Sequence, residues 1–391
     1  MNNDTLLIKQ KNFQKIHALF FQYPVISKPR IVQLLGLSTP TVSTHITELL
    51  NQKLIQPSSS MQSQNGRPAI GYSLVPDAKV AFGVEIKFNQ VRCAVVDLVG
   101  HATNIQEFPL PCSDQANYLE KFCTTIKSYI QAQAYTPEQI LGIGISVQAV
   151  VNAEGSEMIY SRILPLKTLK AADLSREFAL PVRLCHDVEC SALSELWFDQ
   201  NLSDAVYVSI AEHLGGALIL NHRIEYGKVG YAGALEHLPC GTEGRKCYCG
   251  RQDCLETYCS ISALLHKEER LRDFFTRLRG FVATNDVDVS AGYIIEQPQY
   301  RQRWEDYLTA FARGLYPVYL LLERDIILGG DLAPYLNEQD LYLLEDKIIS
   351  LSAFPTAHGF IHKATVQKDS ALIGAGLFFI RKEREQISSL L

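Results

Sequence analysis

The chain has 391 residues, long enough for two or three domains of ordinary size. With 47% hydrophobic and 20% charged residues it has the composition of a globular protein, and no apolar run reaches the ~18 residues of a membrane span, so disorder and a membrane location are not expected. The formal charge of −5 is unevenly placed: residues 1–76 hold seven Lys/Arg against Asp4 and Glu48, a net of +5, which leaves −10 for the rest. A basic head on an acidic body fits an N-terminus that meets a polyanion. The polar start, residues 1–11, carries no secretory core, and the expected location is the cytoplasm.

Residues 12–22 place Phe13, Ile16, Leu19 and Phe20 at helical spacing, with Pro24 just beyond, and predict a first helix. A short helix follows with Ile31, Leu34 and Leu35 on its inner face. Gly36 closes it in a tight turn, and Ser38 can cap a further helix running to about Leu50. This order is the helix-turn-helix pattern. The last helix is expected to bury Val42, Ile46 and Leu49. It should expose Thr39, Thr41, Ser43, Thr44, His45 and Thr47, short polar side chains suited to the base edges and phosphates of double-stranded DNA. Leu54-Ile55 and residues 70–74 then read as two strands of a hairpin wing. Its tip carries Arg67, held between Gly66 and Pro68 and suited to a minor groove or a phosphate. A helical dimerisation module would share the helix pattern, but wing and charge together favour DNA.

Val75-Pro76 marks a boundary between a head, 1–76, and a body, 77–391. In the body, strands are predicted at 81–86, 91–97, 141–147, 182–185, 206–210, 217–220 and 325–328. Helices are predicted at 118–134, 190–199, 260–266, 274–281 and 300–323. Strands with interleaved helices indicate an α/β body of two lobes, about 77–190 with the C-terminal helix and 191–375.

Ten cysteines in a chain without an export signal do not read as a disulfide scaffold. Cys93, Cys112, Cys123, Cys185, Cys190 and Cys259 are scattered and read as small buried hydrophobes. Cys240, Cys247, Cys249 and Cys254 instead crowd into fifteen residues of a polar, Gly-rich stretch. Three thiols, Cys247, Cys249 and Cys254, with the upstream His237, supply the four donors of a closed tetrahedral site. The expected cofactor is one structural Zn²⁺ per chain, with Gly250 permitting the turn. Cys240 competes with His237 for the fourth place.

At this point the sequence resembles the ROK family, and within it the repressors of glucose, N-acetylglucosamine and xylose genes. The resemblance spans nearly the whole chain. It rests on a winged head ending in Gly66-Arg67-Pro68, the spacing His237-x9-Cys247-x-Cys249-x4-Cys254, Cys254-Leu255-Glu256, Leu328-Gly329-Gly330 and Ile373-Gly374-Ala375. It implies a winged helix-turn-helix followed by a two-lobed actin-like (RNase H-like) body around a sugar cleft, assembled as a homodimer or homotetramer.

Kinases of the family carry Asp-x-Gly-Gly-Thr after the first body strand; here Glu85-Ile86-Lys87-Phe88-Asn89 stands there, with Lys87 and Phe88 at the glycine positions. The second phosphate loop resembles Glu212-His213-Leu214-Gly215-Gly216 only in part. A kinase is therefore not expected. In the sugar cleft the family's Asn-Asp-x-Asn is matched by His186-Asp187-Val188-Glu189, and its Glu-x-Gly-His by Ala234-Leu235-Glu236-His237. The resemblance thus implies His186, Asp187, His237 and Glu256 as ligand-binding residues. A structural carboxylate at Asp187 and a helix cap at Glu256 are the plainer alternatives. The expected function is a repressor of carbohydrate genes controlled by a sugar or sugar phosphate; the alternatives are control by a sugar phosphotransferase protein, or a sugar kinase with a DNA-binding appendage.

Overall fold

The computed structural model describes residues 3–61, 69–279 and 297–388. The head comprises α1 (Asn3–Gln22), β1 (Ile26–Ser27), α2 (Lys28–Leu35), α3 (Thr39–Asn51), β2 (Ile55–Met61) and β3 (Ala69–Leu74). Helix α1 starts well before residue 12 because its first turns have no buried face to leave a periodic signal: Leu6, Leu7 and Ile8 are all exposed. Gly36 takes φ +63°, the left-handed value that ends α2, and its amide donates to the Val32 carbonyl. Ser38 caps α3, its hydroxyl accepting from the Thr41 amide at 3.3 Å. Strand β1 adds antiparallel to β3, a third strand the sequence did not announce. The wing tip, with Arg67, lies outside the described residues.

The body opens with β4 (Val80–Ile86), β5 (Val91–Asp97), β6 (Ala102–Phe108), α4 (Ala116–Gln131) and β7 (Ile140–Val147). The small hairpin β8 (Val150–Val151) and β9 (Met158–Tyr160), then α5 (Ala171–Phe178) and β10 (Val182–His186), complete the lobe. The sheet order is β10-β7-β4-β5-β6, with β4, β7 and β10 parallel and β5 and β6 antiparallel. After α6 (Asp187–Phe198) the second lobe repeats this plan with β11 (Ala205–Ile210), β12 (Leu214–Leu220) and β13 (Arg223–Glu225). Then come α7 (Glu256–Cys259), α8 (Ile261–Leu264), α9 (Leu271–Arg279), α10 (Pro298–Leu322), β14 (Asp325–Gly329), α11 (Glu338–Leu351), β15 (Ile361–Lys363) and α12 (Ser370–Ser388). Its sheet order is β13-β12-β11-β14-β15, again an antiparallel triplet extended by parallel strands. Two such sheets joined by crossover helices make the actin-like body.

The helix expected over 260–266 is a single turn, α8, and another turn, α7, lies just before it. Ser260 interrupts them and caps α8 by accepting from the Ala263 amide. Strand β6, which was not predicted, is an edge strand whose interior residues are all exposed, so it lacks the alternation that marks half-buried strands. The six scattered cysteines are buried and free, as expected.

Helix α12 ties the parts together. It packs on α6, on β4, β5 and β7, and on α1 of the head. The approach to α6 is so close that a Cβ at Gly374 would stand 1.8 Å from the Cys190 carbonyl oxygen. Apolar side chains of the head (Ile16, Phe20, Val42, Ile46) and of the body (Leu193, Leu377, Phe379, Ile380) form one continuous buried cluster. Lys79 and Glu383 pair at 2.5 Å beside this junction.

Candidate functional sites: the head, the metal cluster and the cleft

On α3, Thr39, Thr44 and Thr47 are exposed, and Thr41 and Ser43 half-buried. The Thr44 and Thr47 hydroxyls donate back to the carbonyls of Pro40 and Ser43 at 3.0 and 2.9 Å, which holds their rotamers toward the helix surface. His45 departs from expectation. It is buried, edge-on to Phe13 with ring centroids 6.0 Å apart, and its Nδ1 lies 3.3 Å from Glu48 Oε2. Three residues after Val42 and four before Leu49, it belongs to the inward stripe of the helix and cannot reach DNA from there.

The ligand atoms of His237, Cys247, Cys249 and Cys254 all lie within 4.8 Å of one another. Cys249 Sγ is 3.7 Å from Cys254 Sγ, and Cys247 Sγ is 3.7 Å from His237 Nδ1. Ligands about 2.3 Å from a tetrahedral centre stand roughly 3.7 Å apart, so the residues fit a bound metal ion. Cys240 is elsewhere: its thiol donates to the Ala310 carbonyl at 3.3 Å. Of the two possible fourth donors, His237 is the one in the cluster. Gly250 turns the loop at φ +91°, and Asp253 braces it by accepting from the Gly244 and Arg245 amides and the Tyr258 hydroxyl.

Next to this cluster, between the lobes, a cavity of about 80 Å³ is lined by His186, Asp187, His213, Glu236, His237 and Tyr248, with Tyr160 and Arg162 at its rim. His186 and Asp187 sit where β10 ends and α6 begins, and His186 Nε2 is 3.2 Å from Asp187 Oδ1. The expectation for Glu256 needs correcting. It does not line the cavity, because both of its oxygens are engaged: Oε1 with His213 Nδ1 at 2.8 Å, and Oε2 with the Leu214 amide at 2.7 Å. Glu256 therefore acts on the cleft through His213. Burial opposes a charged His213, but the Glu256 hydrogen bond and charge prevail and raise its pKa.

Three lining residues escaped the sequence reading. His213 comes from the turn between β11 and β12, and its pairing with Glu256 spans 43 positions. Tyr248, between two metal-cluster cysteines, stands edge-on to His213 and His237 at 5.1 and 5.2 Å; the Cys-x-Cys spacing was the signal that would have placed it. Glu236 is buried, with Oε2 lacking a hydrogen-bond partner among the described residues. Burial above all, with the Glu256 and Asp187 charges adding, pushes its pKa up to about 8.

Across the cleft mouth, Lys87 and Phe88 form a tight turn between β4 and β5, closed by the Lys87 amide donating to the Gln90 carbonyl at 2.9 Å. Behind it Arg92 joins Glu85 at 3.0 Å, Glu107 at 2.9 Å and Asp369.

Residues 81–382, more than three quarters of the chain, match the ROK family. The chain belongs to the ROK family. Among ROK relatives, a protein of Caldicellulosiruptor sp. (strain Rt8B.4), provisionally named a xylose repressor, is 25% identical over 382 residues and covers 94% of each chain. The DNA-binding transcriptional dual regulator NagC of Escherichia coli K12 is 25% identical over 263 residues, 66% of this chain and 64% of NagC. Of the solved structures, a ROK family transcriptional regulator homologous to the E. coli MLC protein superposes over 98% of both chains with a TM-score of 0.73 at 21% identity. A ROK family glucokinase from Streptomyces griseus, in complex with glucose and AMPPNP, has a TM-score of 0.60 at 19% identity and covers 76% of this chain against 98% of its own. These two likenesses establish the shared fold.

Proposed function

We propose that the chain is a sequence-specific DNA-binding repressor of carbohydrate uptake or catabolism genes, with a head (1–76) that binds the operator and a body (77–391) that senses a sugar. The observation that carries this reading is a helix-turn-helix head sharing one apolar core with a ROK body through α12. The repressor names of its relatives support it. On DNA, Thr39, Thr41, Ser43 and Thr44 of α3 meet base edges or phosphates and Arg67 of the wing meets the minor groove or backbone. His237, Cys247, Cys249 and Cys254 hold one structural zinc ion. When bound it supplies no open coordination position, only a fixed loop that presents Tyr248 and His237 to the cleft.

On this reading the body is not a kinase: Lys87 and Phe88 stand where the family's kinases carry glycines, and side chains there oppose the close approach of phosphates. Ligand at His186 and Asp187 touches the N-terminus of α6, which leans on α12, which touches α1. A sugar that binds one lobe arrangement better than the other thereby biases the position of the heads. The chain works as a homodimer or homotetramer, so its operator is roughly palindromic.

The test is fluorescence anisotropy of the zinc-loaded chain on operator DNA, titrated with a panel of sugars. A saturable change in DNA affinity with one sugar supports the reading. DNA binding that no sugar alters, but a phosphotransferase protein does, would replace the sugar with a protein effector.

A further inference from the structure

Glu236 leaves one buried carboxylate oxygen unspent. It is 8% exposed, and its Oε2 finds no hydrogen-bond partner among the described residues. Buried polar atoms are almost always paired, and one left open beside a cavity marks a place where a ligand completes the pairing. Glu236 lines the same cavity as His186, Asp187, His213 and Tyr248. Its Oε1 lies 3.9 Å from His237 Nε2, the ring nitrogen that faces away from the metal cluster.

The charge around it is lopsided. Asp187 and Glu256 are close enough to act on Glu236, whereas Arg162, the one Arg or Lys among the lining residues, stands at the rim and donates to the Tyr160 hydroxyl. A phosphate dianion here would meet the Asp187 carboxylate and imidazoles, with no Arg or Lys in the lining beyond Arg162 to grip it. Tyr248, pinned between two imidazoles, offers an apolar wall to the C–H face of a ring.

Resting on the reading of this cavity as a sugar site, we propose that Glu236 contacts the effector and sets its class: an unphosphorylated monosaccharide that places a hydroxyl or amino group against Oε2. Asp187 and Glu236 then grip the ligand from the two lobes' facing elements, α6 and the segment leading to the metal loop.

Calorimetry on the zinc-loaded full-length chain tests this, with D-glucose, D-xylose, D-glucosamine and the 6-phosphates of the two hexoses as probes. One free sugar should give a saturable heat, and phosphorylation should weaken it by about tenfold or more. Glu236→Ala should weaken the same sugar by about tenfold or more, with zinc content and melting temperature held. Equal affinity in Glu236→Ala, or tighter binding of a phosphate, overturns the proposal and leaves the sugar-sensing reading standing. No heat with any sugar, while operator binding is intact, overturns both. If Glu236→Ala loses its metal, Glu236→Gln decides: replacing one oxygen by an NH2 group should change the ranking of neutral against amino sugars, and an unchanged ranking rejects the proposal.

Discussion

Cys240 and Cys247 are seven residues apart and do different work. Cys247 is one corner of the His237 cluster, while Cys240 bonds the Ala310 carbonyl across a different wall. Cys247→Ser should therefore abolish the proposed zinc and lower the melting temperature, because the binding energy of a metal held there adds to the body's folding energy. Cys240→Ser should keep its zinc. Metal content by native mass spectrometry checks both, and zinc retained in Cys247→Ser would refute the ligand assignment. The cluster was legible because soft donors at short spacing in a polar stretch have few other uses. His45 was also legible and was misread: its residue type suggested a polar surface, whereas its offset from Val42 and Leu49 put it on the buried stripe. The His213–Glu256 pair was not legible, since only the folded chain brings those positions together.

Among the elements, α1 and α12 carry the connection between head and body. His17 of α1 lies buried between Phe13 and Phe21, with Nε2 unpartnered among the described residues. Burial first, with the nearby Lys79 charge adding, lowers its pKa to about 4. A depressed histidine stabilises the fold while neutral. As pH falls from about 6.5 toward 4 the unfolded chain takes a proton that the native one refuses, and up to about 3 kcal/mol of stability is lost. Thermal melts from pH 7 to 5 should show this slope, and His17→Leu should flatten it; equal slopes would remove His17 as the cause. Gly374→Ala should be costly too, on the order of 1–3 kcal/mol or more, because the new methyl meets the Cys190 backbone rather than a movable side chain. A melting temperature unchanged by that substitution would mean α6 and α12 can separate freely. The strands with apolar alternation were readable in advance, as was the α3 cap. Edge strand β6 was not, for it buries too little to be patterned; the C-terminal helix was expected, but the reason for its glycines, the helix and strands pressed against them, was not.

For the whole molecule, the separation of charge, +5 on the head and −10 on the rest, makes DNA affinity strongly dependent on salt. Arg67→Ala should lower the slope of log affinity against log salt by about one if the side chain meets a phosphate. An unchanged slope and affinity would take Arg67 out of the interface. If the chain assembles symmetrically as proposed, footprinting should find two related half-sites, and protection of a single isolated half-site would count against it.

The helix that completes the first lobe lies far downstream of the strands it covers. Until residues 370–388 leave the ribosome, β4 and β7 lack the partner that covers their glycines, and α1 lacks its seat on the body. The head precedes the body in the chain, yet its attachment waits for α12, a contact of high sequence separation and correspondingly slow to form. A chain interrupted before α12 would thus carry a head without its seat on the body, so this one helix decides whether head and body assemble as a unit.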